Sequence, residues 1–177
     1  MDLTIRKATL HDVPEIEFLI GESARKLSSE DYSKEQIEGA LKAAWGVDTQ
    51  LIKDECYYVI ENNNQLIACG GWSFRKTLFG NDCEQNRVDN VLNPVTEAAK
   101  IRAFFVKPDY ARQGLGSILM RQCEEEARAK NFNALELMST LPGSKLYERH
   151  GFIAQEPIEY PLCDNLSITF IPMKRKL

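Results

Sequence analysis

Ile101-Arg102-Ala103-Phe104-Phe105-Val106, continuing through Lys107-Pro108-Asp109-Tyr110 into Ala111-Arg112-Gln113-Gly114-Leu115-Gly116-Ser117, is the stretch on which the fold turns. Five of its first six residues are apolar and rich in Ile, Val and Phe, the composition of a strand with little exposed face. Pro108 stops that strand. Beyond the glycines, apolar residues at Leu115, Ile118, Leu119, Cys123 and Ala127 make one stripe on a helix of 3.6-residue period. Glu124 with Arg128 and Glu126 with Lys130 are spaced four apart, acid first, as exposed helical pairs are. The glycines therefore stand where a strand turns into a helix, at backbone N–H groups that lack intrahelical partners and at the positive end of the helix dipole. Glycine lets an anion approach that backbone, so the turn predicts a phosphate or pyrophosphate site. A dinucleotide fingerprint would need Gly or Ala at Leu119, and a P-loop would need Gly-Lys-Ser/Thr where Gly116-Ser117-Ile118 stands. Neither is present.

Outward from this centre the chain supplies short alternating segments. Leu3 to Ala8 alternates as a strand. Asp12-Val13-Pro14-Glu15 opens a helix with Val13, Ile16, Leu19 and Ile20 inward, and Ser33-Lys34-Glu35-Gln36 is a capping box for a second helix carrying Ile37, Ala40, Leu41, Ala44 and Trp45, closed by Gly46. Cys56 to Glu61 and Gln65 to Phe74, joined by Asn62-Asn63-Asn64, predict an antiparallel hairpin, and Gly70-Gly71 predicts a bulge or a close backbone neighbour. Residues 75–96 lose periodicity, and a loop of that length in a compact domain is usually functional or disordered. Ala134 to Met138 is a strand, and its position after strand and helix predicts a right-handed crossover and a parallel pair. A short helix from Pro142-Gly143-Ser144 through Tyr147 ends at Gly151. Phe152 to Ile158 and Leu166 to Met173 read as closing strands.

The sequence holds 177 residues, 44% apolar and 27% charged, with a net charge of −4. That length suits one buried core, so one domain spanning 1–177 is the expectation. The acidic balance argues against a nucleic-acid footprint. The Lys174-Arg175-Lys176 cluster reads as a solvated tail. Cys56, Cys69, Cys83, Cys123 and Cys163 are odd in number and widely spaced, which predicts reduced thiols in a cytoplasmic compartment. His11 and His150 are far apart, so no metal site is expected. No secretory signal or membrane-length apolar run is visible.

Two motifs resemble those of the GNAT superfamily of acyl-CoA-dependent N-acetyltransferases. Its pyrophosphate motif, Gln/Arg-x-x-Gly-x-Gly/Ala after an apolar strand, is similar to Ala111-Arg112-Gln113-Gly114-Leu115-Gly116, with Ala111 departing at the first position. Leu146-Tyr147-Glu148-Arg149-His150-Gly151-Phe152 resembles the family's Leu-Tyr-Glu-x-x-Gly-Phe signature. The resemblance implies a mixed, largely antiparallel α/β fold with a central splayed parallel strand pair and helices on both faces. It implies an acyltransferase moving the acetyl group of acetyl-CoA, as acyl-donor substrate, to a primary amine of a small molecule or peptide by direct attack on the thioester.

The resemblance assigns the pantetheine arm to backbone groups of Phe104, Phe105 and Val106, and the pyrophosphate to Arg112, Gln113, Gly114, Leu115, Gly116 and Ser117. Thr140, where many members carry Asn, retains hydrogen-bonding capacity at the cofactor. Tyr147 corresponds to the tyrosine that protonates or hydrogen-bonds the leaving thiolate. Glu97, just before the central strand, is the first candidate for general base, with Glu136 after it. Trp72, Phe74, Leu78 and Phe79 border the long loop and are candidate walls of an acceptor pocket. A non-catalytic acyl-CoA-binding or regulatory module is the alternative reading. Neither nucleic acid nor membrane is an expected partner, and homodimerisation stays open.

Overall fold

Alternation along the hairpin strands decides where the layers form. In the computed structural model, which describes residues 2–83 and 87–177, strand β2 (Tyr57–Asn62) sends Tyr58 and Ile60 to one face of the sheet and Tyr57 and Val59 to the other. Strand β3 (Gln65–Ser73) returns antiparallel, with Asn62 opposite Gln65. Asn63 and Asn64, at φ of 50° and 62°, make the two-residue left-handed turn that matches strand twist. Strand β1 (Leu3–Lys7) pairs outside β2.

Helix α1 (Val13–Leu27) buries Ile16, Leu19 and Ile20. Helix α2 (Lys34–Ala43) begins with the expected capping box, Ser33 Oγ accepting from Gln36 N–H at 3.1 Å and Gln36 Oε1 accepting from Ser33 N–H at 2.9 Å. That helix ends earlier than the apolar stripe suggests. Trp45 leaves the helix and packs between Tyr32 and Phe170, with ring centroids 6.0 and 6.3 Å away. A short helix α3 (Thr49–Lys53), not foreseen in the sequence, is capped by Asp48 Oδ1 accepting from Gln50 N–H.

Strand β4 (Ala99–Val106) lies between β3 and strand β5 (Ala134–Ser139), and helix α4 (Leu115–Ala129) makes the crossover. The β4–β5 pair is parallel, as predicted. Helix α4 buries Leu115, Leu119, Cys123 and Ala127, and Ile118 is half-buried. Full burial of a leucine such as Leu119 stabilises by roughly 1.5–3 kcal/mol relative to exposure. Glu124 accepts from Arg128 as expected, but Glu126 accepts instead from Trp72 Nε1, and Lys130 lies over the Phe74 ring at 4.7 Å.

Helix α5 (Ser144–Arg149) ends at Gly151, whose φ of 80° is the left-handed stop. The expected strand 152–158 is two strands, β6 (Ile153–Ala154) and β7 (Ile158–Pro161), both against β8 (Ser167–Lys176). Strand β8 runs through Lys174-Arg175-Lys176, so that cluster is not a solvated tail. Arg175 pairs with Glu124 at 2.8 Å and Lys174 with Glu136 at 3.3 Å.

The result is an eight-stranded sheet in the order β1-β2-β3-β4-β5-β8-β6 with β7 also on β8, antiparallel except at β4–β5. One core lies under α4 and α5 and the other under α1, α2 and α3. Among the described residues no helix is long and apolar enough to cross a membrane.

Candidate active site

A parallel pair that stops early is what opens the site. Strands β4 and β5 pair only at Ala99 with Leu135 and Lys100 with Glu136, whereas β5 pairs with β8 along its whole length. From Ile101 onward β4 diverges from β5, so its edge there is not covered by a neighbouring strand. A register shift between Cys69 and Gly71 accompanies Ala103 at φ 53°, a strained conformation for a residue with a side chain. Tyr57 Oη donates to Ala103 O at 3.0 Å and helps hold the bulge. Gly70 is required opposite it, since a Cβ there would lie 2.4 Å from Cδ1 of Phe104. The hint of a bulge at Gly70-Gly71 thus has a physical origin in the ring that must cross it.

The splay forms a cavity of about 230 Å³ lined by Phe104, Phe105 and Val106 from β4, Met138 from β5, and Thr140 and Tyr147 beyond it. Gly116, in the first turn of α4, also lines it. Upstream, Arg112 has φ 61° and Gly114 φ 87°, two left-handed residues that turn the chain into the helix. The turn bonds to itself through Ala111 N–H to Pro108 O, and through Ser117 and Ile118 N–H to Gly114 O. Among the described residues no side chain caps this helix. The exposed Arg112, Gln113 and Gly114 and the half-buried Gly116 and Ser117 therefore surround a helix start with free donors and positive dipole, suited to an anion. Ser117 Oγ lies 2.9 Å from His150 Nε2, which brings the two sequence motifs into contact. Burial and the nearby Arg175 and Arg121 lower the His150 pKa from its ordinary value.

Tyr147 is 9% exposed, its ring 6.2 Å from that of Phe104 and 5.9 Å from that of Phe152. Burial pushes its phenol above the ordinary value, so it stays protonated and can act as an O–H donor. Thr140 Oγ1 accepts from Gly143 N–H at 3.2 Å, closing the turn that launches α5.

The structure brings Phe104, Phe105, Val106, Gly116, Thr140 and Tyr147 to one cavity, with the turn of Arg112 to Ser117 beside it. It does not bring Glu97 there. Glu97 lines a second cavity with Lys100, Glu136 and Lys174, at the end of β4 where the parallel pair is still closed, and its carboxylate accepts from Asn93 N–H at 2.7 Å. The position next to the central strand misleads because it is the wrong end of that strand. Glu136 is committed to Lys100 and Lys174 in the same second cavity.

Sequence reasoning missed Arg102. It is 2% exposed at the side chain and donates to Asp48 Oδ2 at 2.9 Å, Thr77 O at 3.1 Å and Gly80 O at 2.9 Å. Asp48 also accepts from Arg87 at 2.9 and 3.0 Å. This buried charge cluster fastens the loop after β3 to the sheet and sets Leu78, Phe79 and Gly80 in the cavity wall. The one available signal was a charged residue inside the otherwise apolar run Ile101 to Val106. Of that loop, residues 84–86 lie outside the described residues. Trp72 and Phe74, expected near an acceptor, pack instead in the core under α4.

A family model described as "Acetyltransferase (GNAT) family" matches residues 21–152. None of the curated proteins matches the chain by sequence. Among solved structures, a GCN5-related N-acetyltransferase from Rhodopseudomonas palustris superposes with a TM-score of 0.72 at 15% identity, over 98% of this chain and 95% of that one. The PaiA N-acetyltransferase from Thermoplasma acidophilum, in complex with coenzyme A, gives 0.68 at 15% identity with both chains fully covered. The YncA protein of Salmonella typhimurium, described as a putative acetyltransferase with its cofactor acetyl-CoA, gives 0.63 at 13% identity over 100% and 95%. At such identities the likeness is one of fold.

Proposed function

The chain belongs to the GNAT acetyltransferase family, and from that premise we propose that it is an N-acetyltransferase moving the acetyl group of acetyl-CoA to a primary amine of a small molecule or peptide. The observation that carries this reading is the splay of β4 from β5 after Lys100, which opens onto the uncapped start of α4. Coenzyme A bound to one similar fold and acetyl-CoA to another support the same donor here.

In this reading the donor supplies an acetyl thioester, and the chain does the rest. Backbone groups of Phe104, Phe105 and Val106 hold the pantetheine amides, and a main-chain N–H near Val106 stabilises negative charge on the thioester oxygen. Arg112, Gln113, Gly114, Leu115 and Gly116 grip the pyrophosphate through main-chain donors, while Ser117, whose N–H donates to Gly114 O, and Thr140 add hydroxyls. Tyr147 serves the departing sulfur. With reference values of about 10 for a phenol and 8.5 for a thiol, full proton transfer is uphill by about 2 kcal/mol. Burial that raises the Tyr147 pKa makes it steeper, so Tyr147 acts by donating a hydrogen bond.

Thiol release from acetyl-CoA with a panel of amines tests the reading, together with calorimetry of coenzyme A binding. Tyr147→Phe is expected to lower kcat by about 10²-fold, the scale of losing one preorganised hydrogen-bond donor to developing charge, while affinity for coenzyme A is retained. Tight binding with no amine-dependent release in either protein would instead make the chain a binding module.

A further inference from the structure

We infer that the acetyl acceptor is an arylamine, an apolar ring whose nitrogen is uncharged at neutral pH. This rests on the acetyl-transfer reading and names its substrate class. Apart from the groups assigned to the donor, the cavity wall includes Ala24, Leu27, Trp45, Leu78, Phe79 and Phe170, and its neutral polar residues include Ser23 and Ser28. The rings of Phe79 and Phe170 are 5.8 Å apart at 67°, and those of Trp45 and Phe170 are 6.3 Å apart at 48°. This is an aromatic corner of the kind that receives another ring edge to face.

Its charge is equally selective. Among the described residues no carboxylate lines the cavity, and the one charged residue that does, Arg102, has its guanidinium paired with buried Asp48. Glu97 and Glu136 face the other cavity. An alkylammonium entering here would lose its water against apolar walls with no counter-ion to replace it. The aromatic faces attract a cation, but a cation held there has its lone pair protonated and cannot attack. An alkylamine with a pKa near 10.4 is neutral in only about 1 molecule in 2,500 at pH 7. An arylamine nitrogen, its lone pair shared with the ring, arrives neutral.

The bond changes then balance without an external base. The nitrogen lone pair forms the C–N bond to the acetyl carbonyl, the C–S bond breaks with its electrons going to sulfur, and one N–H proton ends on that sulfur. Amine and thioester become amide and thiol with no net proton released. An alkylammonium would have to give up one further proton to an acceptor that the described lining does not supply.

Aniline and benzylamine decide the matter, since they share a ring and differ by the methylene that makes the second a cation at pH 7. Amide product is followed by chromatography, because the exposed Cys83 and Cys163 would consume a thiol dye. Aniline is expected to exceed benzylamine in kcat/KM by about tenfold or more at pH 7, with a flat profile from about pH 6.5 to 9, while benzylamine rises about tenfold per pH unit. Phe79→Leu should raise KM for aniline several-fold with kcat little changed. Preference for benzylamine at pH 7, or coenzyme A binding with neither amine acetylated, would overturn the acceptor class alone. Absence of coenzyme A binding by calorimetry would overturn the acetyl-transfer reading beneath it.

Discussion

Gly114 and Gly116 are two residues apart and are glycines for different reasons. At Gly114 the backbone has φ 87°, while a Cβ would meet nothing within 4 Å. At Gly116 no left-handed φ applies, but a Cβ would lie 2.7 Å from Leu146 Cδ2, at the residue preceding Tyr147. Gly114→Ala should therefore destabilise through the backbone alone, by about 1–2 kcal/mol. Gly116→Ala meets only the far end of the Leu146 side chain, which can turn away, so it should cost about 1 kcal/mol, the low end of overpacking. A double-mutant cycle with Leu146→Ala in urea separates the two. The Gly116 and Leu146 changes should be coupled, the smaller side chain relieving the clash, while the Gly114 and Leu146 changes should add. Additivity in both cycles would refute the packing role of Gly116. The motif pattern marks both glycines for one purpose, whereas the contacts divide them between turn geometry and the seating of the Tyr147 helix.

Among the elements, the loop after β3 behaves as part of the sheet because its anchor is ionic and buried. Asp48 has no side-chain exposure and holds Arg102 of β4 and Arg87 of the loop while capping α3. Asp48→Ala removes one anion from two cations, and leaving buried charge unpaired costs about 3–5 kcal/mol. Chemical denaturation should show a loss of that size. The variant's aniline KM should rise as well, because Phe79 hangs from the same loop; a stability loss below about 1 kcal/mol would deny the cluster its structural role. This anchoring also explains what was legible beforehand. The capping box at Ser33, the hairpin at Asn62 to Asn64, the stripe on α4 and the stop at Gly151 are local signals, each satisfied within a few residues. Asp48 and Arg102 are 54 positions apart, and nothing local requires their meeting. Glu97 fails for a related reason. Adjacency to β4 is a one-dimensional fact, but only the three-dimensional divergence of β4 from β5 distinguishes the end with Tyr147 from the end with Lys100.

For the whole molecule, the cavity joins the two cores on opposite faces of the sheet. Phe104, Val106 and Tyr147 pack with the core under α4 and α5, whereas Phe105, Met138 and Phe79 pack with the core under α1, α2 and α3. A donor seated between β4 and β5 would satisfy the divergent edge and brace both layers at once, so its binding should register as global stability. A ligand that binds only the folded chain at a hundred times its Kd adds about 2.7 kcal/mol. For a chain of 177 residues, each kcal/mol moves the midpoint by about 2–4 °C, which predicts a Tm rise of about 5–11 °C with coenzyme A. The 3′-phosphoadenosine 5′-diphosphate half of the cofactor, which keeps the pyrophosphate and lacks the pantetheine arm, should give a smaller rise at the same concentration. Equal shifts from the fragment and from intact coenzyme A would mean that the edge of β4 contributes nothing to binding. The splay would then be a feature of the sheet alone.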